Sequence, residues 1–358
     1  MSIPVTVGST AGAARFSGYR PWLDGVRAVA ILLVLLEHTN LFKQYNLGGV
    51  GVGIFFALSG YLITGLLWDE FAREGRLALL PFYIRRFARL APALLLVALI
   101  AGLAFVLEGQ RRAAFNAIFA VTYTTNYAAI FSGHHLAGFG HTWSLAVEEH
   151  FYLIWPPLML LLMRRIPAAS FVKAVLAIAV MVLCWRAFLF GVFGEQVRLM
   201  LYAGSIERLD SLLYGCAAAV AVRQGWRPGN GAMAAGVVAL AVSVLWIAPL
   251  SSVLGPTLIG AGGALFIAAI DCERRAVLQQ VLSTKLMVRT GILSYGIYLW
   301  HIPLLQLSSK NGEGSLPSIL AAMALAVILA HLSYRYCEVP IRDSVRQRLA
   351  QKKEPALT

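Results

Sequence analysis

Long apolar runs, interrupted by short polar or glycine- and proline-bearing segments, occupy most of the chain between Leu23 and Tyr336. A helix that crosses a bilayer takes about 20 largely apolar residues. Ten runs approach that length: Leu23–Asn40, Val50–Trp68, Leu90–Leu107, Trp143–Met163, Phe171–Phe190, Arg208–Val222, Gly231–Ala248, Gly255–Ile270, Thr290–Leu307 and Pro317–Tyr336. The pattern predicts an all-α fold, a polytopic membrane helix bundle of about ten transmembrane helices. A further stretch, Ala113–Phe131, carries the polar run Thr122-Tyr123-Thr124-Thr125-Asn126-Tyr127 at its middle. Polar backbone at membrane depth must face protein or water, so this segment is expected to be re-entrant or interfacial.

Loop charge supports that count. With the N-terminus in the cytoplasm and ten crossings, most of the 30 Lys and Arg residues fall in cytoplasmic segments. The outer loops keep Lys43, Arg111, Arg112, Arg198 and Lys310, and Arg27, Arg186, Arg208 and Arg335 lie within spans. Counting Ala113–Phe131 as a crossing would invert every later loop and destroy this bias. Both termini are therefore expected inside.

Composition narrows the class. Hydrophobic residues make up 59% of the 358 and charged residues 13%, too little polar surface to cover a soluble domain. The formal net charge of +13 belongs to the loop bias and gives no ground for a nucleic-acid partner. Cys184, Cys216, Cys272 and Cys337 show no CxxC spacing, so neither a disulfide framework nor a zinc site is indicated. Residues 1–21 form a polar cytoplasmic leader without a signal-peptide pattern. Residues 22–342 form one membrane domain, and residues 343–358 a short basic cytoplasmic tail.

Ionisable groups inside apolar spans are expensive, and default to functional groups or buried pairs. Arg27 and His38 share a face of the first span, about three turns and roughly 16 Å apart. That places a cation near the cytoplasmic end and a titratable base further across; lipid snorkelling by Arg27 and helix capping by His38 explain the pair equally well. Gly49 and Gly53 allow close approach to the second span. Arg85, Arg86 and Arg89 can form one basic patch before the third, suited to phosphate or to a cytoplasmic anchor. Glu148 and Glu149 enter the fourth together. Neighbouring residues diverge by about 100° on a helix, so different partners are expected, and a structural pairing with Arg186 or Arg208 stays open. His134, His135, His141 and His150 match no compact zinc pattern, and no metal is expected.

Taken together, several blocks resemble the acyltransferase-3 family of integral membrane O-acyltransferases. They are Leu-Asp-Gly-Val-Arg27 followed by His38; Phe-Phe-x-Leu-Ser-Gly at 55–60; Arg85-Arg86-x-x-Arg89-x-x-Pro92; Trp-Ser-Leu-x-Val-Glu-Glu at 143–149; Arg208-x-Asp210; Ser-Tyr-x-x-Tyr-Leu-Trp-His at 294–301; and Glu338-x-Pro340-x-Arg342. The likeness runs from Trp22 to about Arg342. His150 departs from it, standing where the family pattern expects Gln. The esterase-like C-terminal domain of some members is also not seen in this sequence.

The resemblance implies transfer of a short acyl group, acetyl above all, from cytoplasmic acyl-CoA to a hydroxyl. The acceptor would be a surface carbohydrate or a small molecule, and the setting the inner membrane of a bacterium. A hydroxyl is a poor nucleophile at neutral pH and needs a base to take its proton. His38 would be that base, with Glu149 or Glu148 orienting the imidazole as the acid does in a hydrolase triad. Arg27, Arg85, Arg86 and Arg89 would hold the CoA phosphates. Ser59, Tyr123, Asn126, Arg208, Asp210 and His301 would supply substrate contacts. The competing class is a proton-coupled transporter or exporter of an anionic solute or glycan, with His38 and Glu149 as relays. No inverted repeat or pair of broken helices supports it.

Overall fold

The computed structural model describes residues 18–39, 41–245, 251–272, 277–309 and 314–351. The leader before residue 18, the end of the tail after residue 351 and the last residues of the span ending at Ala248 lie outside the described residues. Those described are overwhelmingly helical, with no strand among them. They divide into two compact units. One comprises the described residues up to Leu77 together with His150–Ile292; the other comprises Ala78–Glu149 and the described residues from Leu293 onward.

The first unit contains α1 (Pro21–Glu37) and α2 (Leu47–Glu74). Pro21 opens α1, where a missing backbone donor costs nothing. Gly75, left-handed at φ 65°, closes α2 by donating its N–H to the Phe71 carbonyl. The later helices of this unit are the part of α6 (Trp143–Arg165) from His150, α7 (Ala168–Phe193), the short α8 (Arg198–Ala203), α9 (Leu209–Arg223), α10 (Asn230–Leu245), α11 (Ser251–Cys272), α12 (Val277–Leu282) and the start of α13 (Lys285–Ser308). Helix α2 is the hub and packs on α1, α9 and α11. Val26, Ile54, Ala57, Tyr61, Ala219 and Ile267 are buried together there.

Helices in lipid gain little from hiding apolar side chains from one another, so close backbone approach and interhelical polar contacts carry more of the packing. Both occur here. Where α2 crosses α9, a Cβ on Gly60 would run into the Leu212 carbonyl, and one on Gly215 into the Ala57 carbonyl. Gly53 admits the side chain of Ile259 from α11, so this glycine serves helix packing. Asp271 binds three groups: Arg20 and Tyr61 each donate to Oδ2 at 2.6 Å, and the Trp22 indole donates to Oδ1 at 3.0 Å. Arg223 grips Asp69 with two bonds of 2.7 and 2.8 Å.

The second unit contains α3 (Leu79–Leu107), α4 (Arg111–Val121), α5 (Thr125–Ser132), a 3-10 turn at Gly140–Thr142, the first residues of α6, and α13 from Leu293. It ends with α14 (Leu316–Ser333), a π-helical turn at Tyr334–Glu338 and α15 (Val339–Gln351). Along α3, Leu95, Leu99, Leu103 and Val106 are exposed while Leu94, Val97, Ala101 and Phe105 are buried. An apolar face left uncovered over this length suits lipid contact.

Six helical stretches are long and apolar enough to cross a bilayer: Leu47–Glu74, Leu79–Leu107, Gly140–Arg165, Ala168–Ala203, Ser252–Cys272 and Leu316–Gln351. The count of ten is not reached among the described residues. Helices α1 and α9 have 17 and 15 residues, which at 1.5 Å per residue is only about 26 and 22 Å. Helix α10 has 16 described residues. Helix α13 is long enough at 24 residues, but Lys285, Arg289, Ser294, Tyr295, Tyr298 and His301 dilute its apolar character. The segment 113–131 is not one crossing helix. It breaks between α4 and α5, where Tyr123 takes a left-handed φ of 54° and the Thr122 hydroxyl bonds back to the Ile118 carbonyl at 2.8 Å.

Candidate active site

In the first unit, α1 runs unbroken from Pro21 to Glu37 and His38 is its C-terminal cap. The helical spacing of Arg27 and His38 therefore holds. The Nδ1 of His38 lies 2.8 Å from the Val34 carbonyl. A carbonyl oxygen can only accept, so Nδ1 carries a proton and, in the neutral ring, Nε2 is the basic nitrogen. Arg27 and Ser59 are half-buried in this unit.

Arg208 and Asp210, two residues apart in one motif, have different surroundings. Asp210 is fully buried and receives both arms of Arg186, at 2.8 Å and 2.7 Å. The Thr257 hydroxyl also donates to it at 2.6 Å, and the Ser211 amide at 2.9 Å. Its acceptor capacity is taken up by the protein, which leaves it poorly suited to the substrate contact the motif implied. Arg208 lies with its guanidinium 5.7 Å from the centre of the Phe56 ring and lines a cavity of about 320 Å³. Glu37, the residue before His38, lines the same cavity.

In the second unit, Arg86 of α3 meets the first turns of α6. Its Nε lies 3.5 Å from Glu149 and its NH2 4.0 Å from Glu148. Divergent partners were expected for these neighbouring carboxylates; one guanidinium reaches both, because its fork is wide enough to span them. The three arginines do not present one patch either. Arg86 is turned inward, with its side chain only 14% exposed, while Arg85 and Arg89 are exposed. Burial, and after it the Glu149 carboxylate, pushes the Tyr123 phenol up, so Tyr123 is a neutral donor. Asn126 is fully buried.

His301 is also fully buried. Its Nδ1 donates to the Tyr298 carbonyl at 2.6 Å, and its ring lies 5.1 Å from that of His141. The Tyr298 hydroxyl donates its single proton to the His141 carbonyl at 2.7 Å and therefore accepts from Ser144 at 2.8 Å. His150 bonds to Ser205 at 2.8 Å. No cluster of three His, Cys, Asp or Glu side chains suited to a metal occurs among the described residues.

Sequence reasoning missed the Asp271 node, the Asp69–Arg223 pair and the cavity. Asp271 carried a signal, as a carboxylate closing an apolar run, but its partners are far away in sequence.

The fold and these buried charges define a multi-pass helical membrane protein with ionisable groups inside its apolar segments. The chain belongs to the acyltransferase-3 family: the model of its acyltransferase domain matches residues 20–335. Among curated relatives, the peptidoglycan O-acetyltransferase OatA of Listeria monocytogenes is 33% identical over 91% of this chain and 56% of the relative. The O-acetyltransferase OatA of Staphylococcus aureus strain NCTC 8325 is 30% identical over 90% and 57%. The chain thus spans little more than half the length of these relatives. No solved structure matches.

Proposed function

We propose that the chain is a membrane O-acetyltransferase that moves an acetyl group from cytoplasmic acetyl-CoA to a hydroxyl of peptidoglycan or another surface glycan. Family membership and the names of the two relatives support the reaction class. The observation that carries the mechanism is the His38 ring, held through Nδ1 by the Val34 carbonyl with Nε2 as its basic nitrogen.

Nε2 takes the proton of the acceptor hydroxyl as the oxygen attacks the thioester carbonyl carbon. The new C–O bond forms, the C–S bond breaks, and the proton passes to the departing sulfur, giving the ester and free CoA thiol. The Val34 carbonyl orients the neutral ring through Nδ1, and Glu149 or Glu148 stabilises its charged form, as the acid does in a hydrolase triad. Arg27, Arg85 and Arg89 are the phosphate contacts of the donor, since guanidinium forks match phosphate oxygens. The proposed setting is a bacterial inner membrane, oriented so that the basic segments and the donor lie on the cytoplasmic face, in keeping with the charge bias.

The test is thiol release from acetyl-CoA by the purified full chain, followed with a thiol-reactive dye. Release should require a hydroxyl acceptor or water and should disappear in His38→Ala. Equal release by wild type and His38→Ala would overturn the assignment of the base. A CoA-independent solute flux lost in Glu149→Gln would overturn the enzyme reading.

A further inference from the structure

The second unit carries an open apolar groove that the proposed chemistry does not use. It holds about 410 Å³, within the roughly 300–1,000 Å³ of small-molecule sites. Helix α15 packs on α3 here. Tyr83, Ile84, Phe87 and Pro92 of α3 form one wall, and Ile341 and Val345 of α15 the other. Phe87 is 69% exposed, and Ile84 and Ile341 are exposed as well, so the groove opens on the surface of the unit. It lies on the far side of α3 from the Arg86 contact with Glu148 and Glu149. Arg86 is two residues from both Ile84 and Ala88, which also lines the groove, and at 100° per residue it points about 160° away from them.

Helix α15 is too charged for hydrocarbon. Its 13 residues include Arg342, Asp343, Arg346 and Arg348, whereas α14 is apolar and ends at the π-helical turn of Tyr334–Glu338. A helix of this kind lies in the membrane interface with its apolar face toward the acyl chains. Ile341, Val345 and Leu349 recur every fourth residue and make that face. Arg348, three residues from Val345, continues the same face one turn further on as a cation, and Arg346 stands beside Val345. Both arginines are exposed. Asp343 pairs with Arg342 at 3.1 Å, so the excess charge of α15 rests on Arg346 and Arg348.

We propose that the groove seats one acyl chain of an anionic glycerophospholipid, whose headgroup phosphate is held by Arg346 and Arg348. An acyl chain gains little by leaving other lipid for an apolar groove. The groove therefore fixes where the lipid sits, and the two arginines decide which lipid it is. Guanidinium forks match phosphate oxygens, and each basic group at a membrane surface favours an anionic headgroup over a zwitterionic one. The bound lipid bridges α3 and α15. Neither His38 nor an acetyl donor enters this inference, which stands apart from the acetyl-transfer reading.

The experiment is photocrosslinking of the full chain in phosphatidylcholine nanodiscs, with the labelled residues read by mass spectrometry. The two probes are phosphatidylglycerol and phosphatidylcholine, each carrying a diazirine at the middle of the same acyl chain. In the groove, at residues 83–92 and 341–345, the phosphatidylglycerol probe should label about tenfold or more strongly, the range of two charges at a membrane surface. On the exposed face of α3 at Leu95, Leu99 and Leu103 the two probes should label alike. Arg346→Gln with Arg348→Gln should bring the groove to the ratio of that face, and Val345→Trp should lower groove labelling by both probes. Equal ratios at the two places in the wild type would overturn the proposal, as would a groove preference that survives the double variant. Clearance of the groove label by acetyl-CoA would make the occupant that nucleotide thioester. A groove shielded from both probes in a chain that crosslinks as a dimer would make it a second copy. Either result overturns the lipid assignment.

Discussion

Arg186 and Asp210 form a two-armed ion pair, at 2.8 and 2.7 Å, with both side chains entirely buried. Arg186 also donates to the Glu207 carbonyl, so α7 is tied to α9 and to the turn before it. A buried pair of this kind adds little over a well-packed apolar pair, but breaking it leaves an uncompensated charge. That loss costs about 3–5 kcal/mol. Asp210→Asn should lower the thermal unfolding temperature of the detergent-solubilised chain markedly, and Arg186→Met with Asp210→Leu should recover part of the loss. An unchanged unfolding temperature in Asp210→Asn would return this residue to a substrate-contact role.

The crossing of α2 and α9 depends on the absence of side-chain atoms at Gly60. Gly60→Ala places a Cβ against the Leu212 carbonyl, part of a helix backbone that cannot swing aside. A loss of about 1–3 kcal/mol is expected, the usual cost of overpacking. Gly102 of α3 is the contrasting case, since a Cβ there meets only the Ala117 methyl at 3.9 Å. Gly102→Ala should therefore be neutral or stabilise by up to about 1 kcal/mol through helix propensity. Thermal unfolding of the two variants side by side decides the matter, and equal effects would refute the packing argument.

Arg86 and Glu149 are each at most 21% exposed. A double-mutant cycle with Arg86→Gln and Glu149→Gln should show a coupling of about 1 kcal/mol or more in unfolding free energy, because the groups share one partly buried contact. Additive single effects would mean that the 3.5 Å contact contributes nothing.

The helical class, and the break within residues 113–131, were legible because apolar runs and a central polar run are local signals. The end of α1 was legible in the same way: helix capping by His38 was one of the two readings the sequence allowed, and the ring does bond back to Val34. The partners of the buried charges were not. Arg186 finds Asp210, and Arg20 finds Asp271, across separations of 24 and 251 residues. No periodicity encodes which distant carboxylate an arginine meets. The cavity escaped notice for a related reason. Lys43 and Arg198 are loop charges 155 residues apart in sequence, and the fold brings both to the lining of one hollow.

The central claim is that the His38 imidazole removes a proton from the hydroxyl that receives the acetyl group. Its most direct test is transfer of isotopically labelled acetyl from acetyl-CoA to a glycan hydroxyl, comparing the wild-type chain with His38→Gln. Glutamine keeps an amide donor for the Val34 carbonyl but has no basic nitrogen. The wild type should form the ester, and the variant should do so about 10²- to 10⁴-fold more slowly, the range of one general base. Labelled ester appearing at the same rate from both proteins would contradict it.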